Sequence, residues 1–228
     1  MITSKNRRRL KDYGLPLILF LATVMTTVIA GAFYEGADPL HDASSLLRGL
    51  PFSVSLIFIL GSHELGHYFA GRRHGVISTL PHFIPAPPVP PMIGTFGAVI
   101  KMKSPILTRK ALVDIGASGP LIGFMASLLV TAIGLFGVSI APVSSAPDSL
   151  ELGTPLVFKA LSHIVLGPVP DGFDISLNAV TFAGWIGFFV TSINLLPIGQ
   201  LDGGHISYAL ATRRHRAVSF AAVAILVA

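Results

Sequence analysis

Two histidines and a glutamate, His63, Glu64 and His67, lie in the segment GSHELGHYFAG, directly after the apolar run PFSVSLIFIL. On a helix, side chains four residues apart project from the same face, so His63 and His67 could bind one metal ion together. This HExxH spacing is the one in which two histidines bind zinc while the intervening glutamate acts as a general base on water.

The polar residues of this motif lie deep within an apolar segment. If residues 63–72 are helical, His63 lies about 13 Å from Arg72. An uncompensated ionisable residue within a membrane span costs at least about 2.5 kcal/mol, so three of them close together favour a functional site. The alternative is that the histidines belong to a structural polar network.

The composition of the chain is that of a membrane protein. Its 228 residues are 52% hydrophobic and 12% charged, and the mean hydropathy is +0.73. A helix needs about 20 residues to cross the hydrocarbon core. We therefore predict an all-α polytopic membrane protein with about five transmembrane helices, in residues 15–33, 51–68, 111–140, about 175–211 and 217–228. The last segment is short and ends with the chain, so we expect half a span or a truncated one.

The connections between the apolar segments fall into two groups, one rich in basic residues and one poor in them. All but two of the 16 Lys and Arg residues precede the first segment, lie between the second and third, or follow the fourth. The positive-inside rule therefore predicts a cytosolic N-terminus, with every basic connection on the cytosolic or stromal side. Because the basic residues bracket the spans, we expect no nucleic-acid partner. We divide the chain into residues 1–50 (cytosolic tail, first helix and external loop), 51–211 (catalytic membrane core) and 212–228 (start of a further helix).

Two segments depart from a simple helical pattern. Residues 81–91 contain six prolines, and residues 95–103 are rich in β-branched and aromatic side chains, which predicts a small membrane-associated β element near residues 94–103. The fourth apolar segment contains NLLPIGQLDGGH, in which Pro197, Gly199, Gly203 and Gly204 are expected to break the helix. Backbone groups freed by such a break must line a polar cavity, because hydrocarbon cannot satisfy them.

A catalytic zinc ion usually has three protein ligands, and a chain without cysteine must supply them from His, Asp or Glu. Asp202 is the best third ligand, because a helix from it to Arg213 would place it about 16 Å deep, close to the depth of His63. Asp114 is the alternative, although its position soon after Lys110 favours an interfacial carboxylate. His205 is either a metal ligand itself or, as we favour, a residue that contacts a ligand and orients it without binding the metal.

The remaining histidines and a pair of glycines have simpler interpretations. Gly119 and Gly123 have the small-xxx-small spacing that favours close helix packing. Surface or solvated positions are expected for His41, His74, His82, His163 and His215.

The segments SHELGHYFAG and SINLLPIGQLDGGH together resemble the site-2 protease family of intramembrane zinc metalloproteases. GTFGAVIKMKSP and DIGASGP are similar to the branch of that family that lacks a PDZ domain and includes bacterial and chloroplast members. The resemblance covers about residues 51–211. It implies regulated cleavage of transmembrane protein substrates within the lipid bilayer, in a prokaryotic cell membrane or a chloroplast membrane.

The resemblance also implies roles for individual residues. His63, His67 and Asp202 would bind one Zn²⁺ per chain, and Glu64 would be the general base. Asn194 would orient substrate or stabilise an oxyanion, with a helix-packing hydrogen bond as the alternative. The sequence does not indicate an oligomeric state.

A helical substrate must unwind before water can attack its carbonyl groups. The strand that begins near Thr95 could accept the unwound segment by edge pairing, with Gly94 and Gly97 allowing close approach on either side of Thr95 and Phe96. The alternative is a purely structural hairpin.

Two other functions remain compatible with the sequence. A transporter or metal-handling membrane protein would also have broken helices and intramembrane ligands, although it would not need Glu64 in HExxH spacing. An inactive family member that binds partner helices would retain the fold without cutting.

Overall fold

The computed structural model describes residues 4–142 and 152–227, and this part of the chain is mostly helical. Its helices are α1 (Ser4–Tyr34), α2 (Leu46–Arg73), α3 (Arg109–Leu135), α4 (Leu156–Leu166), α5 (Ala179–Asn194), α6 (Asp202–Leu210) and α7 (His215–Val227). A 3₁₀ turn, Ala43–Ser45, leads into α2. The strands are β1 (His82–Pro85), β2 (Thr95–Val99), β3 (Ser139–Pro142) and β4 (Phe173–Ser176).

Three helices of the described residues are long and apolar enough to cross a membrane. They are the apolar part of α1 (Tyr13–Tyr34), α2 with its preceding turn (Ala43–Arg73) and α3 (Arg109–Leu135). The predicted membrane helices are therefore confirmed as a class, whereas the count of five is not. The apolar helices α4, α5 and α7 are shorter than a span.

The fourth apolar segment is broken, as the sequence predicted. Helix α5 ends at Asn194, residues 195–201 form turns, and α6 begins at Asp202. The break lies before the glycine pair, because Gly203 and Gly204 are inside the first turn of α6 rather than at its boundary. The third segment is also shorter than expected, since α3 ends at Leu135 and β3 begins at Ser139.

Small residues allow the spanning helices to approach closely. A Cβ on Gly31 of α1 would lie 2.7 Å from the carbonyl oxygen of Gly49 in α2 and 2.8 Å from the Cβ of Phe52. Nearby, the hydroxyl groups of Thr27 and Ser53 are 2.7 Å apart and bridge the same two helices. Hydroxyl pairs of this kind satisfy polar groups that hydrocarbon would leave unpaired.

The ends of three helices meet on one side of the bundle. The Glu35 carboxylate, just past α1, accepts a hydrogen bond from the backbone N–H of Ala179 at 3.0 Å. Asn178, the N-cap of α5, donates from Nδ2 to the carbonyl oxygen of Gly134 near the end of α3 at 2.9 Å. The ends of α1 and α3 therefore lie beside the start of α5, so α5 runs antiparallel to both.

Strands β1 and β2 form an antiparallel hairpin that confirms the predicted β element. The register pairs His82 with Val99 and Pro85 with Thr95. The hairpin packs on α1, where the rings of Phe20 and Phe83 are 5.3 Å apart in an edge-to-face arrangement. It is therefore anchored against α1 rather than left as a free loop.

A second two-stranded sheet and α4 were not expected from the sequence. β3 and β4 pair antiparallel, with Ser139 opposite Ser176. Phe158 of α4 is buried against Leu135 and Phe188. The strands are only four residues long and mostly exposed, so they carry no clear alternation that a sequence pattern could reveal.

Candidate metal centre

His63, His67 and Asp202 converge between α2 and the start of α6. The Nε2 atoms of the two histidines are 3.1 Å apart, and each lies 3.2 Å from a different Asp202 carboxylate oxygen. Both histidines are buried, and one donor atom from each of the three residues lies within 4.8 Å of the others. The structure thus brings together the three residues that the sequence selected from separate segments.

The spacing of these donor atoms fits a zinc ion. Tetrahedral ligands at the usual zinc–nitrogen and zinc–oxygen distances of about 2.0–2.1 Å lie about 3.3–3.4 Å from one another. The observed separations of 3.1 and 3.2 Å are within a few tenths of an ångström of that value. Two imidazoles and one carboxylate are also a donor set typical of catalytic zinc, which leaves a fourth position open.

The ring of His67 is oriented by a backbone carbonyl group. Its Nδ1 lies 2.7 Å from the carbonyl oxygen of Ile115 in α3, which can only accept a hydrogen bond. Nδ1 therefore carries the hydrogen, and the lone pair of Nε2 faces His63 and Asp202. Such partners fix the tautomer and the orientation of a metal-binding histidine. No sequence signal identifies Ile115, because a backbone carbonyl acts independently of the side chain.

Glycines on α3 make room for both histidine rings. A Cβ on Gly119 would overlap the His67 imidazole, and one on Gly123 would lie 2.9 Å from Nδ1 of His63. On the facing helix, a Cβ on Gly66 would lie 2.7 Å from the carbonyl oxygen of Ser118. The predicted packing role of Gly119 and Gly123 is confirmed, and the residues they face are the histidines of the cluster.

The chain before Asp202 folds tightly back on itself. Gly199 has a φ of +52°, which favours glycine, and a Cβ on Gly204 would lie 2.5 Å from the Gly199 carbonyl oxygen. The carbonyl of Pro197 accepts a hydrogen bond of 2.6 Å from the Ser219 hydroxyl group in α7. A backbone group released by the break is therefore satisfied from within the protein, as the membrane requires.

Glu64 lies beside the three donor residues without belonging to their cluster. It is 8% exposed, and its carboxylate interacts with the backbone N–H of Ile100, the residue that follows β2. The end of β2 therefore lies next to this glutamate. A carboxylate in this position can accept a proton from a molecule bound between the cluster and β2.

Asn194 and His205 were the polar residues expected near the site. Asn194, the last residue of α5, has its Nδ2 3.5 Å from Nε2 of His63. His205 is half-buried on α6, with its Cβ near Gly116, and makes no side-chain hydrogen bond within the described ranges. The structure therefore brings Asn194 to the cluster and leaves His205 beside it.

The four residues singled out at the start of β2, Gly94 to Gly97, differ in their surroundings. Gly94 is packed against α1, where its carbonyl accepts a hydrogen bond of 2.6 Å from the Thr26 hydroxyl. Thr95 is buried, whereas Phe96 is 67% exposed and a Cβ on Gly97 would meet nothing within 4 Å. Open space is thus available at Phe96 and Gly97, while α1 occupies the space next to Gly94.

The alternative ligand, Asp114, lies outside the cluster. Its carboxylate is 2.9 Å from Nε2 of His74. Among the histidines expected at the surface, His41 is exposed and pairs with Asp38 at 2.6 Å, whereas His215 is half-buried and lies 3.0 Å from the Ser207 hydroxyl group.

Two histidines and a glutamate on a helix long enough to cross a membrane, completed by an aspartate from the short helix α6, form a site typical of membrane metalloproteases. The family model described as Peptidase family M50 matches residues 51–228, and the chain belongs to that family, the site-2 proteases. No solved structure matches the chain significantly.

Curated relatives agree with this assignment. "Probable zinc metalloprotease EGY2, chloroplastic" of Arabidopsis thaliana is 32% identical over 76% of this chain and 31% of its own length. "Probable zinc metalloprotease EGY1, chloroplastic" of the same plant is 35% identical over 85% of this chain and 39% of its own length. The chain therefore spans only about a third of the length of these relatives.

Replacing Gly119 with alanine should displace the His67 imidazole and weaken zinc binding at least about tenfold, in the range known for altered ligand orientation. The measurement is the zinc dissociation constant of the detergent-solubilised protein, by competition with a chelator. Gly134→Ala is the matched control, because its new Cβ would overlap Thr181 at the other end of α3. We expect that control to lower thermal stability and retain zinc; equal zinc loss in both variants would contradict the specific role of Gly119.

Proposed function

We propose that this protein is an intramembrane zinc metalloprotease that hydrolyses peptide bonds within or near transmembrane helices of membrane-protein substrates. The observation that carries this proposal is the cluster in which Asp202 of α6 meets His63 and His67 beside Glu64, the last three on a helix long enough to cross the membrane. The relatives named zinc metalloproteases support the same activity. Regulated proteolysis of a membrane-anchored factor is the biological role that this chemistry would serve.

His63, His67 and Asp202 would hold the zinc ion through two imidazole nitrogens and a carboxylate oxygen. Zinc, when bound, supplies Lewis-acid polarisation of the attacking water and the scissile carbonyl. The hydrogen bond from His67 to Ile115 keeps one imidazole in the required tautomer. The glycines of α3 allow that ring to remain in place.

Glu64 would be the general base and then the general acid. Its carboxylate takes a proton from the attacking water and passes it to the leaving amine nitrogen. Asn194, with Nδ2 near His63, is positioned to donate a hydrogen bond to substrate or to the oxygen that becomes negative. His205, three residues after Asp202, would support the orientation of Asp202 through the packing of α6 against Gly116 rather than through a side-chain hydrogen bond.

The free edge of β2 would receive the unwound substrate. β2 pairs with β1 on one side, and within the described ranges no other strand pairs with it. The strand ends next to Ile100, whose N–H faces Glu64, so an added peptide strand would run toward the general base. Backbone hydrogen bonds along that edge compensate for those lost when the substrate helix unwinds.

The proposed setting is a multi-pass membrane protein with its N-terminus in the cytosol or stroma. The basic residues of the connections support this orientation through the positive-inside rule. A prokaryotic cell membrane or a chloroplast membrane fits the resemblance, and the relatives are named as chloroplastic. Residues 51–211 would form the catalytic core, flanked by residues 1–50 and 212–228.

The substitution Glu64→Gln should leave zinc bound and lower the rate of cleavage by about 10²–10⁴-fold, because it removes the proton acceptor and retains the shape. Zinc content is measured by mass spectrometry, and cleavage is followed on a helical transmembrane peptide in detergent. His67→Ala is the companion variant and should lose zinc and activity together.

Full proteolysis by Glu64→Gln would contradict the assignment of the base. Zinc binding by the wild-type protein without cleavage, unchanged by Glu64→Gln, would favour a metal transporter or an inactive family member.

Asn194→Leu should retain zinc and lower kcat by about 10²-fold, as expected when one donor to a developing negative charge is removed. The experiment compares kcat, KM and zinc content with those of the wild-type protein. A variant with unchanged kcat and reduced thermal stability would indicate a helix-packing role instead.

N-methylation of single backbone amides in the substrate tests pairing with β2. Successive N–H groups of a strand point to opposite sides, so only alternate positions near the scissile bond should be sensitive. Loss of one hydrogen bond worth about 1 kcal/mol predicts cleavage about fivefold slower at those positions. The neighbouring positions serve as matched controls, and equal effects at all positions would argue against edge pairing.

A further inference from the structure

His74 and Asp114 form a hydrogen-bonded pair that the proposed catalytic chemistry does not use. His74 is the residue immediately after α2, and Asp114 lies in the second turn of α3. Nε2 of His74 is 2.9 Å from Oδ2 of Asp114, and their side chains are 23% and 43% exposed. The pair therefore joins two helices at the rim of the bundle, where water can reach it.

The His74–Asp114 pair lies at the interface between α2 and α3, as does the contact that orients His67. His74 follows His67 by two helical turns, so both lie on the same side of α2. Asp114 directly precedes Ile115, whose carbonyl oxygen accepts the hydrogen bond from Nδ1 of His67. Each helix thus contributes one residue to the rim pair and one to the deeper contact.

The space between these two contacts is filled by apolar packing. Val76, Ala111 and Ile115 form a buried cluster where α2 ends and α3 begins. The Ile115 carbonyl also accepts a hydrogen bond of 2.8 Å from the Ser118 hydroxyl group, in addition to the one from His67. A small slide of α3 along α2 would lengthen the bond to His67, because packed helices move as units.

We propose that His74 and Asp114 are positioning residues that fix α3 against α2, so that the Ile115 carbonyl keeps His67 oriented for metal binding. This inference rests on the proposed function, because it assumes that His67 binds zinc. Neither residue binds the metal itself; each acts through Ile115. Zinc affinity therefore depends on the water-accessible His74–Asp114 pair, in which His74 lies about 10 Å along α2 from the ligand His67.

The test compares zinc affinity in Asp114→Ala, His74→Ala and the double variant with that of the wild-type protein. A residue that orients a metal ligand typically contributes about 10- to 100-fold to metal affinity. Because His74 and Asp114 act on the ligand only through Ile115, we expect a smaller loss of about 3- to 10-fold. The double variant should lose no more than either single one, because both remove the same interaction. Asp114→Asn retains an acceptor for His74 and should restore most of the affinity.

The exposed pair of His41 and Asp38 offers a matched control. Nδ1 of His41 is 2.6 Å from Oδ2 of Asp38, and the pair lies in the connection between α1 and α2, away from the α2–α3 interface. Asp38→Ala should leave zinc affinity unchanged. Cobalt(II) substitution gives a second readout, because the visible spectrum reports ligand geometry and should change in Asp114→Ala but not in Asp38→Ala.

The outcomes separate this inference from the proposed function. Wild-type protein that binds no zinc would overturn both. Wild-type protein that binds zinc, with the same affinity and cobalt spectrum in Asp114→Ala and His74→Ala, would overturn only the positioning role. If the alanine variants do not fold, His74→Phe and Asp114→Leu, which keep side-chain volume but cannot form the hydrogen bond, provide the same comparison, and in them a loss of thermal stability in the zinc-free protein without loss of affinity would also overturn it.

Discussion

The close packing of α3 against α2 is the constraint on which the site depends. α3 supplies the Ile115 carbonyl that orients His67, and Gly119 and Gly123 leave space for the histidine rings. In a membrane there is little hydrophobic drive for helices to associate, so small residues and interhelical hydrogen bonds hold them together. The same glycines thus serve both the stability of the bundle and the geometry of the donor atoms.

The break between α5 and α6 positions the third donor of the site. It brings a carboxylate to two histidines inside an apolar bundle. A continuous helix would have carried Asp202 past the site along a straight axis. The turns of residues 195–201 redirect the chain, and Ser219 of α7 satisfies the carbonyl of Pro197 that the break leaves free. Irregular backbone is tolerated at such depth only where protein groups or a polar cavity compensate for it.

In the proposed function, the β1–β2 hairpin connects this centre to a route for an extended peptide. One edge of β2 is paired with β1, and Ile100 places the end of the strand against Glu64. The packing of Gly94 on α1 holds the hairpin at a fixed position relative to the helices. The proposed function uses this arrangement, because the hydrolysis of an unwound helix would require a rigid strand beside a buried acid–base group.

The sequence by itself determined the membrane class, the HExxH spacing and the broken fourth segment, and it favoured Asp202 over Asp114 as the third donor, because these follow from hydropathy, spacing and the rarity of charge in apolar segments. Only the tertiary structure decided which α3 groups face the histidines, that Asp114 pairs with His74 rather than joining the cluster, and that Gly203 and Gly204 lie inside α6. It also revealed the β3–β4 sheet and α4. The reason is physical: periodicity identifies which residues share a face, whereas the partner of that face depends on how separate helices pack, and a backbone carbonyl such as that of Ile115 leaves no mark in the sequence.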